Sequence, residues 1–194
     1  MKILFPQLLI KVLVRSAARR PFHTLEGYMK RDWLLDPQSI LARVTGCGAR
    51  IQQILSSDRE KVPHDHPWPY ISFILEGGYT ELRYHDTMIA AYRYAAKHRA
   101  KHGMPEVHFN GEIGQWESHS YYGAGSVLIR KAKTMHRLVI AKGESATTLF
   151  IMGRYGQKWG YLTSDGKVYW RDYQCPEEVA RSAAAIEEVY GVQA

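Results

Sequence analysis

Hydrophobic and polar positions alternate in short runs along most of this chain, and helical spacing shows at only a few places. Residues 3–10 are apolar but for Gln7 and are then interrupted by Lys11 and Arg15. Residues 1–20 therefore predict an amphipathic helix ending near Arg20-Pro21. Residues 21–39, with Gly27, Pro37 and the aromatic anchors Phe22, Tyr28 and Trp33, predict a short helix and a loop. From Ile40 the period becomes two. Strands are predicted at 40–45 and 50–55 around the Gly46-Cys47-Gly48 turn, at 63–75, and at 79–84 after a hairpin-like turn at Gly77-Gly78. Residues 86–102 lack Gly and Pro, and Met88, Ala91, Tyr92 and Ala95 fall at i, i+3, i+4 and i+7, which predicts a helix inserted between strands. Strands resume at 118–122, 126–130, 136–141, 147–153 and 159–163, and Asp165-Gly166 turns the chain into a last strand at 168–171. Pro176, with Glu177 and Glu178 in the first turn and Gly191 beyond the end, predicts a closing helix over 176–190. Many short strands with frequent turns point to a sandwich or barrel.

Composition narrows the classes. At 194 residues and 45% hydrophobic, the chain is long enough for one domain with a real core. Its net charge of +7 favours anionic partners. The cations are spread over 15–20, 93–101 and 130–133, without a zinc-finger, helix-turn-helix or RNA-recognition signature, which disfavours nucleic acid. Cys47 and Cys175 are too few for a disulfide framework and lack metal spacing, so a reduced, cytoplasmic setting is expected. No apolar run approaches the ~20 residues of a membrane span, and the N-terminus reads as an amphipathic helix ahead of a signal peptide.

The chemistry concentrates at His64-Asp65-His66. Imidazoles at i and i+2 of an extended segment share one face, while Asp65 points away to an edge or supporting role. A third histidine from another strand would close a facial metal site. By the same parity Trp68, Tyr70, Ser72 and Ile74 follow on that face, as pocket wall or as core. His98 and His102, at i and i+4, lie among Lys97, Arg99 and Lys101 and read as a solvated face. His85, His108 and His119 read as single surface or loop histidines.

These residues resemble the cupins. His64-x-His66 followed by glycine at 77 or 78 is similar to the first cupin motif, and the stretch from Gly125 to His136 is similar to the second. More narrowly, His64-Asp-His-Pro-Trp68, Gly77-Gly-Tyr-Thr-Glu81 and Lys158-Trp-Gly160 resemble a group of bacterial and phage cupin-like proteins of unassigned function. The resemblance covers roughly residues 40–173. It implies an all-β jelly-roll barrel, the double-stranded β-helix, with a helical extension over 1–39, a helical insertion at about 86–117, a C-terminal helix over 174–194, and pairing into a homodimer. It also implies His64, His66 and His136 as ligands of a divalent transition metal: Fe, by slight preference, or Zn, Ni, Mn or Cu. Where cupins usually carry a ligating glutamate this chain has Tyr70 and Ile71, and the turn of the second motif has Lys131 and Lys133 in place of Pro and Gly. Three histidines without a carboxylate leave positions open for water, substrate or dioxygen, as in thiol dioxygenases and some diketone-cleaving cupins.

The expected function is therefore a metal-dependent, dioxygenase-like enzyme acting on a small, anionic molecule. Tyr70 and Glu81 are its candidate catalytic residues, Glu81 also standing in for the missing carboxylate. Trp68, Ser72 and Arg130 are its candidate pocket. Glu76, in the turn, is the second carboxylate considered. The alternatives are a metal-independent isomerase or epimerase with a histidine base and tyrosine acid, and a non-enzymatic module that binds a small anion or a partner.

Overall fold

The computed structural model of the chain describes residues 3–98 and 106–173. Helix α1 (Gln7–Ala17) precedes β1 (Pro21–Leu25) and β2 (Met29–Leu35). A short α2 (Ile40–Thr45) leads into β3 (Gly48–Ile54), and the long β4 (Tyr70–His85) is followed by α3 (Met88–Lys97). Then come β5 (Glu106–Asn110), β6 (Gln115–Gly123), β7 (Val127–Arg130), β8 (His136–Val139), β9 (Ala146–Met152), β10 (Gly160–Thr163) and β11 (Gly166–Tyr169). Nine strands follow the path β1-β2-β3-β9-β4-β6-β5, with β7 and β8 also on β4, and β10 pairs with β11. Every pairing is antiparallel. The result is a jelly-roll-like fold in which no hydrogen-bonded ladder joins the first and last strands of the path.

Strand β4 organises this arrangement. Its first half lies between β7 and β9, and its second half between β6 and β8. The passage from one half to the other is made at a register shift between Ile74 and Glu76 and at Gly77, whose φ is +65°. A Cβ on Gly77 would lie 1.9 Å from the Ser145 carbonyl oxygen, and one on Gly78 2.7 Å from that of Tyr122. The Gly77-Gly78 pair is thus not the predicted hairpin turn. It is the corner at which one strand changes sheets, and both glycines are needed because other backbone passes within contact distance.

Other expectations are corrected. Residues 21–39 form β1 and β2 rather than a helix and loop, reversing at Gly27 with φ +69°. Their aromatic residues face the interior, where pairing with β3 extends the sheet. Residues 40–45 are helix α2, not a strand: Ser39 accepts from the Ala42 N–H, and Gly46 ends it in the left-handed conformation. Its Ile40, Leu41 and Val44 are exposed, so a period-two count of apolar residues misreads them. The histidine segment is not regular strand either. Pro67 and Pro69 have no N–H to give a ladder, and β4 begins only at Tyr70. The inserted helix stops at Lys97, and His102 and the helix predicted over 176–190 lie outside the described residues.

The strands divide their side chains by parity. On β3, Ile51 faces outward and packs with Ile10 and Ala17 of α1, while Arg50, Gln52 and Ile54 face inward. Met29, Ile54, Ile74, Tyr79, Leu128 and Ile140 pack into one inner cluster, and Trp33, Trp68, Tyr70, Phe150 and Met152 into a second. Between these inner faces is a cavity of about 220 Å³. No described helix is long and apolar enough to cross a membrane.

Gly77→Ala combines a disfavoured backbone conformation with a backbone overlap and is expected to cost more than about 2 kcal/mol. Gly27→Ala, where φ is also positive but space is open, is expected to cost about 1 kcal/mol. Urea denaturation of both variants checks the difference.

Candidate metal centre

His64 is held at the site by two isolated bridges, the first to His136. Its N–H donates to the His136 carbonyl at 2.9 Å and its carbonyl accepts from the His136 N–H at 3.0 Å. This holds the segment at the start of β8 and, through a second bridge to Tyr161, against β10. Asp65 points the other way, as alternation requires. It is buried, and its carboxylate accepts from the Gly160 N–H at 2.8 Å, Gln157 Nε2 at 2.8 Å and Lys167 Nζ at 2.6 Å. The aspartate between the histidines therefore clamps the β10–β11 hairpin onto the site's back.

The three imidazoles converge. Each of His64, His66 and His136 offers a nitrogen, and these nitrogens lie within 4.8 Å of one another. The Nε2 atoms of His66 and His136 are 2.9 Å apart. Ring centroids are 5.2 Å apart for His64 and His66 and 5.0 Å for each of the other two pairs.

Two carboxylates stand behind the rings. The Nδ1 of His136 is 2.9 Å from Glu81 Oε1. If Nδ1–H donates there, the Nε2 lone pair is left facing the cavity. The Nδ1 of His64 is 3.8 Å from Asp58 Oδ2, and Asp58 is itself held by the Tyr28 hydroxyl and by the Leu138 N–H at 2.7 Å. The donor set fits a transition metal: three converging imidazole nitrogens, with a carboxylate hydrogen-bonded to the ring of His136 and another near that of His64.

Burial sets the protonation states. It pushes His64 down to about 4, with His136 adding to the shift and Asp58 opposing it. It also holds His66 well below its ordinary range, helped by His136, His64 and Arg50. Tyr70 is held well above its usual range, first by burial and then by the Glu81 carboxylate and Tyr79, so its hydroxyl stays protonated at neutral pH. Burial would raise Glu81, but the hydrogen bond from His136 and the adjoining Arg130 guanidinium outweigh it and hold the carboxyl well below the usual range.

Glu81 does not line the cavity, contrary to its expected place as a fourth ligand. Its side chain is 0% exposed and is forked by Arg130, with Nε donating to Oε1 at 3.0 Å and Nη2 to Oε2. Arg130 is correspondingly not a pocket residue. Parity turns it inward on β7, but the only described carboxylate within reach of its fork is that of Glu81, and desolvation requires the pairing. Tyr70 does reach the site: its hydroxyl is 3.3 Å from His136 Nδ1, and its ring stacks on Phe150 at 4.6 Å. Trp68 and Ser72 lie along the cavity wall. Glu76 is exposed.

Sequence reasoning missed Arg50, whose guanidinium lies in the wall 4.9 Å from the Phe150 ring centroid and 6.0 Å from that of Trp33. With the Gln52 amide turned oxygen-first, it accepts from Arg50 Nη2 at 2.8 Å and Nε at 2.9 Å. The available signal is the pair Arg50 and Gln52 in phase with Ile54 on β3. Asp58 lies between predicted strands and carries no periodic signal.

No protein-family model matches the chain, and no curated protein matches it. Among solved structures it is similar to a cupin-like protein from Thermotoga maritima at 13% identity, covering 79% of this chain and 83% of that one, with a TM-score of 0.40. It is similar to the polyketide cyclase RemF from Streptomyces resistomycificus at 14% identity, covering 82% and 85%, with a TM-score of 0.43. A mutant oxalate decarboxylase from Bacillus subtilis matches at 15% identity over 87% of this chain but only 35% of that protein, with a TM-score of 0.47. None of these likenesses assigns a ligand or a reaction to this chain.

Two outcomes follow from the buried charges. Glu81→Gln leaves Arg130 without its counter-charge and is expected to destabilise the fold by about 3–5 kcal/mol. In a double-mutant cycle, Glu81→Gln with Arg130→Met should recover part of that loss. Unfolded histidine titrates near pH 6.5, whereas folded His64 resists protonation until about pH 4. The stability contributed by the neutral rings is therefore complete above about pH 6.5 and lost as pH falls towards 4. Urea denaturation of metal-free protein across this window should show the fall, and His64→Gln should reduce it.

Proposed function

We propose that this chain is a metal-dependent enzyme of the cupin type that acts on a small anionic molecule, with oxygenase chemistry as its reaction class. The observation that carries this reading is the convergence of three imidazoles, that of His136 buried and those of His64 and His66 half-buried, on one wall of an aromatic cavity, with carboxylates near two of them. In it His64, His66 and His136 hold one divalent transition metal, iron by preference. The metal, when bound, supplies a Lewis-acidic, redox-capable centre.

The chain's own residues have separable tasks. Glu81 keeps the His136 ring turned so that Nε2 faces the cavity, and Asp58, 3.8 Å from His64 Nδ1, acts on that ring by charge alone. The Tyr70 hydroxyl, kept protonated, donates a hydrogen bond or a proton beside His136. Trp68, Phe150 and Tyr161 exclude water. Arg50, in place of Arg130, takes the anionic group of the substrate through charge-assisted hydrogen bonds while its face rests on Phe150.

Protein produced in metal-replete medium is expected to carry close to one transition metal per chain at this site, and His66→Ala to lose it, as measured by inductively coupled plasma mass spectrometry together with a circular-dichroism check of folding. Folded but metal-free wild-type protein from such a preparation would overturn the reading. Turnover that survives complete chelation would support instead a metal-independent isomerase working through a histidine and Tyr70.

A further inference from the structure

A second histidine cluster lies on β5 and β6, outside the cavity. Strands β5 and β6 pair with Glu106 opposite His119 and His108 opposite Glu117. In an antiparallel pair, directly opposed residues share a face, as do residues two apart on one strand. All four side chains therefore stand on the same side of the ribbon, in a checkerboard of two carboxylates and two imidazoles. Ser118 and Ser120, the intervening residues of β6, face the other way, where Ser120 Oγ donates to the His98 carbonyl at the end of α3. The checkerboard is thus on the face opposite α3, and β5 is the edge strand of the sheet.

Its geometry is directional. The amide oxygen of Asn110 accepts from the N–H groups of Glu112 and Ile113 at 3.1 and 3.2 Å, which aims its Nδ2 at Glu117 Oε2, 3.3 Å away. Tyr84 also hydrogen-bonds Glu117. Held in this way, Glu117 Oε1 lies 2.9 Å from His119 Nε2. On the other side of the ring, His119 Nδ1 lies 3.5 Å from Glu106 Oε2. A donor is needed between these two atoms, and either a ring proton or a bound metal cation supplies it. The His108 ring closes the third side, 4.9 Å from that of His119 between centroids, and one donor atom each from Glu106, His108 and His119 lies within 4.8 Å of the others. Tetrahedral zinc with bonds of about 2.0–2.2 Å needs donors roughly 3.3–3.6 Å apart. The side chains of Glu106 and His108 are exposed and can move to close that difference.

We propose that Glu106, His108 and His119 form a second, solvent-facing zinc site on the outer face of β5 and β6, with Glu117 as the positioning residue that orients the His119 ring. Two imidazoles and a carboxylate suit zinc, and the solvent side leaves its fourth position for water. This site is independent of the cavity reading, since none of its residues lines the cavity.

The test is zinc stoichiometry on the full chain, stripped with chelator and re-equilibrated with zinc chloride at neutral pH, with bound metal measured after dialysis. Wild type is expected to hold two ions per chain, His108→Ala, His119→Ala and His66→Ala one each, and the His66→Ala/His119→Ala double variant none. Glu117→Gln is expected to weaken the outer site by about 10–100-fold, with the visible spectrum of its cobalt-substituted form retained. Unchanged stoichiometry in both His108→Ala and His119→Ala overturns the outer site, as does uptake there only at millimolar zinc. If the cavity site fails instead, wild type and His66→Ala both hold one ion and His119→Ala holds none.

Discussion

The carboxylate of Glu81 is shut away from water, forked by the Arg130 guanidinium on one flank and meeting the Nδ1 of His136 on the other. Three strands depend on this contact. Glu81 comes from the second half of β4, Arg130 from the end of β7 and His136 from the start of β8. A charge at this depth is tolerable only with its partners in place, so the ion pair fixes how the strands on either side of β4 meet. Arg130 continues the network outward, donating to the Tyr122 hydroxyl at 3.1 Å, and Tyr122 meets the Tyr94 hydroxyl at 3.1 Å on α3. The inserted helix is thereby tied to the ring that faces the cavity.

The same arrangement separates binding chemistry from structural charge. Arg130 is paired with Glu81 outside the cavity lining, and Arg50 lies in the cavity wall near the rings of Phe150 and Trp33. Burial keeps the rings of His64 and His66 neutral, which is the state in which an imidazole can give a lone pair to a metal. Glu81 meets His136 from outside the cavity, so the cavity side carries no ionised oxygen from Glu81.

Much of this was legible from residues alone. His64 and His66 lie at i, i+2, and the Gly125-to-His136 stretch resembles a known motif, and together these two local signals point to the same three histidines. Strands β6 to β11 followed from period two and turn residues. Other elements were not legible because the local pattern was ambiguous. Ile40, Leu41 and Val44 look like strand residues yet sit exposed on a six-residue capped helix, and Phe22, Tyr28 and Trp33 look like anchors of a loop yet line the interior from sheet and turn. Gly77-Gly78 reads as a turn because glycine pairs usually mark one. The close approach of Ser145, nearly seventy residues away, makes it a strand corner.

The sequence by itself determined the inventory: short amphipathic strands, the three site histidines, an aromatic lining and a positive net charge. Parity along a strand fixes which residues share a face, and parity is a local property. Only the tertiary structure decided which partner each charged residue meets. Glu81 finds Arg130 and His136 rather than a metal, Arg50 rather than Arg130 faces the cavity, and His108 and His119, apparently solitary, meet across β5 and β6. These are contacts between residues distant in the chain, set by register and strand order, and no local pattern of hydrophobicity encodes either.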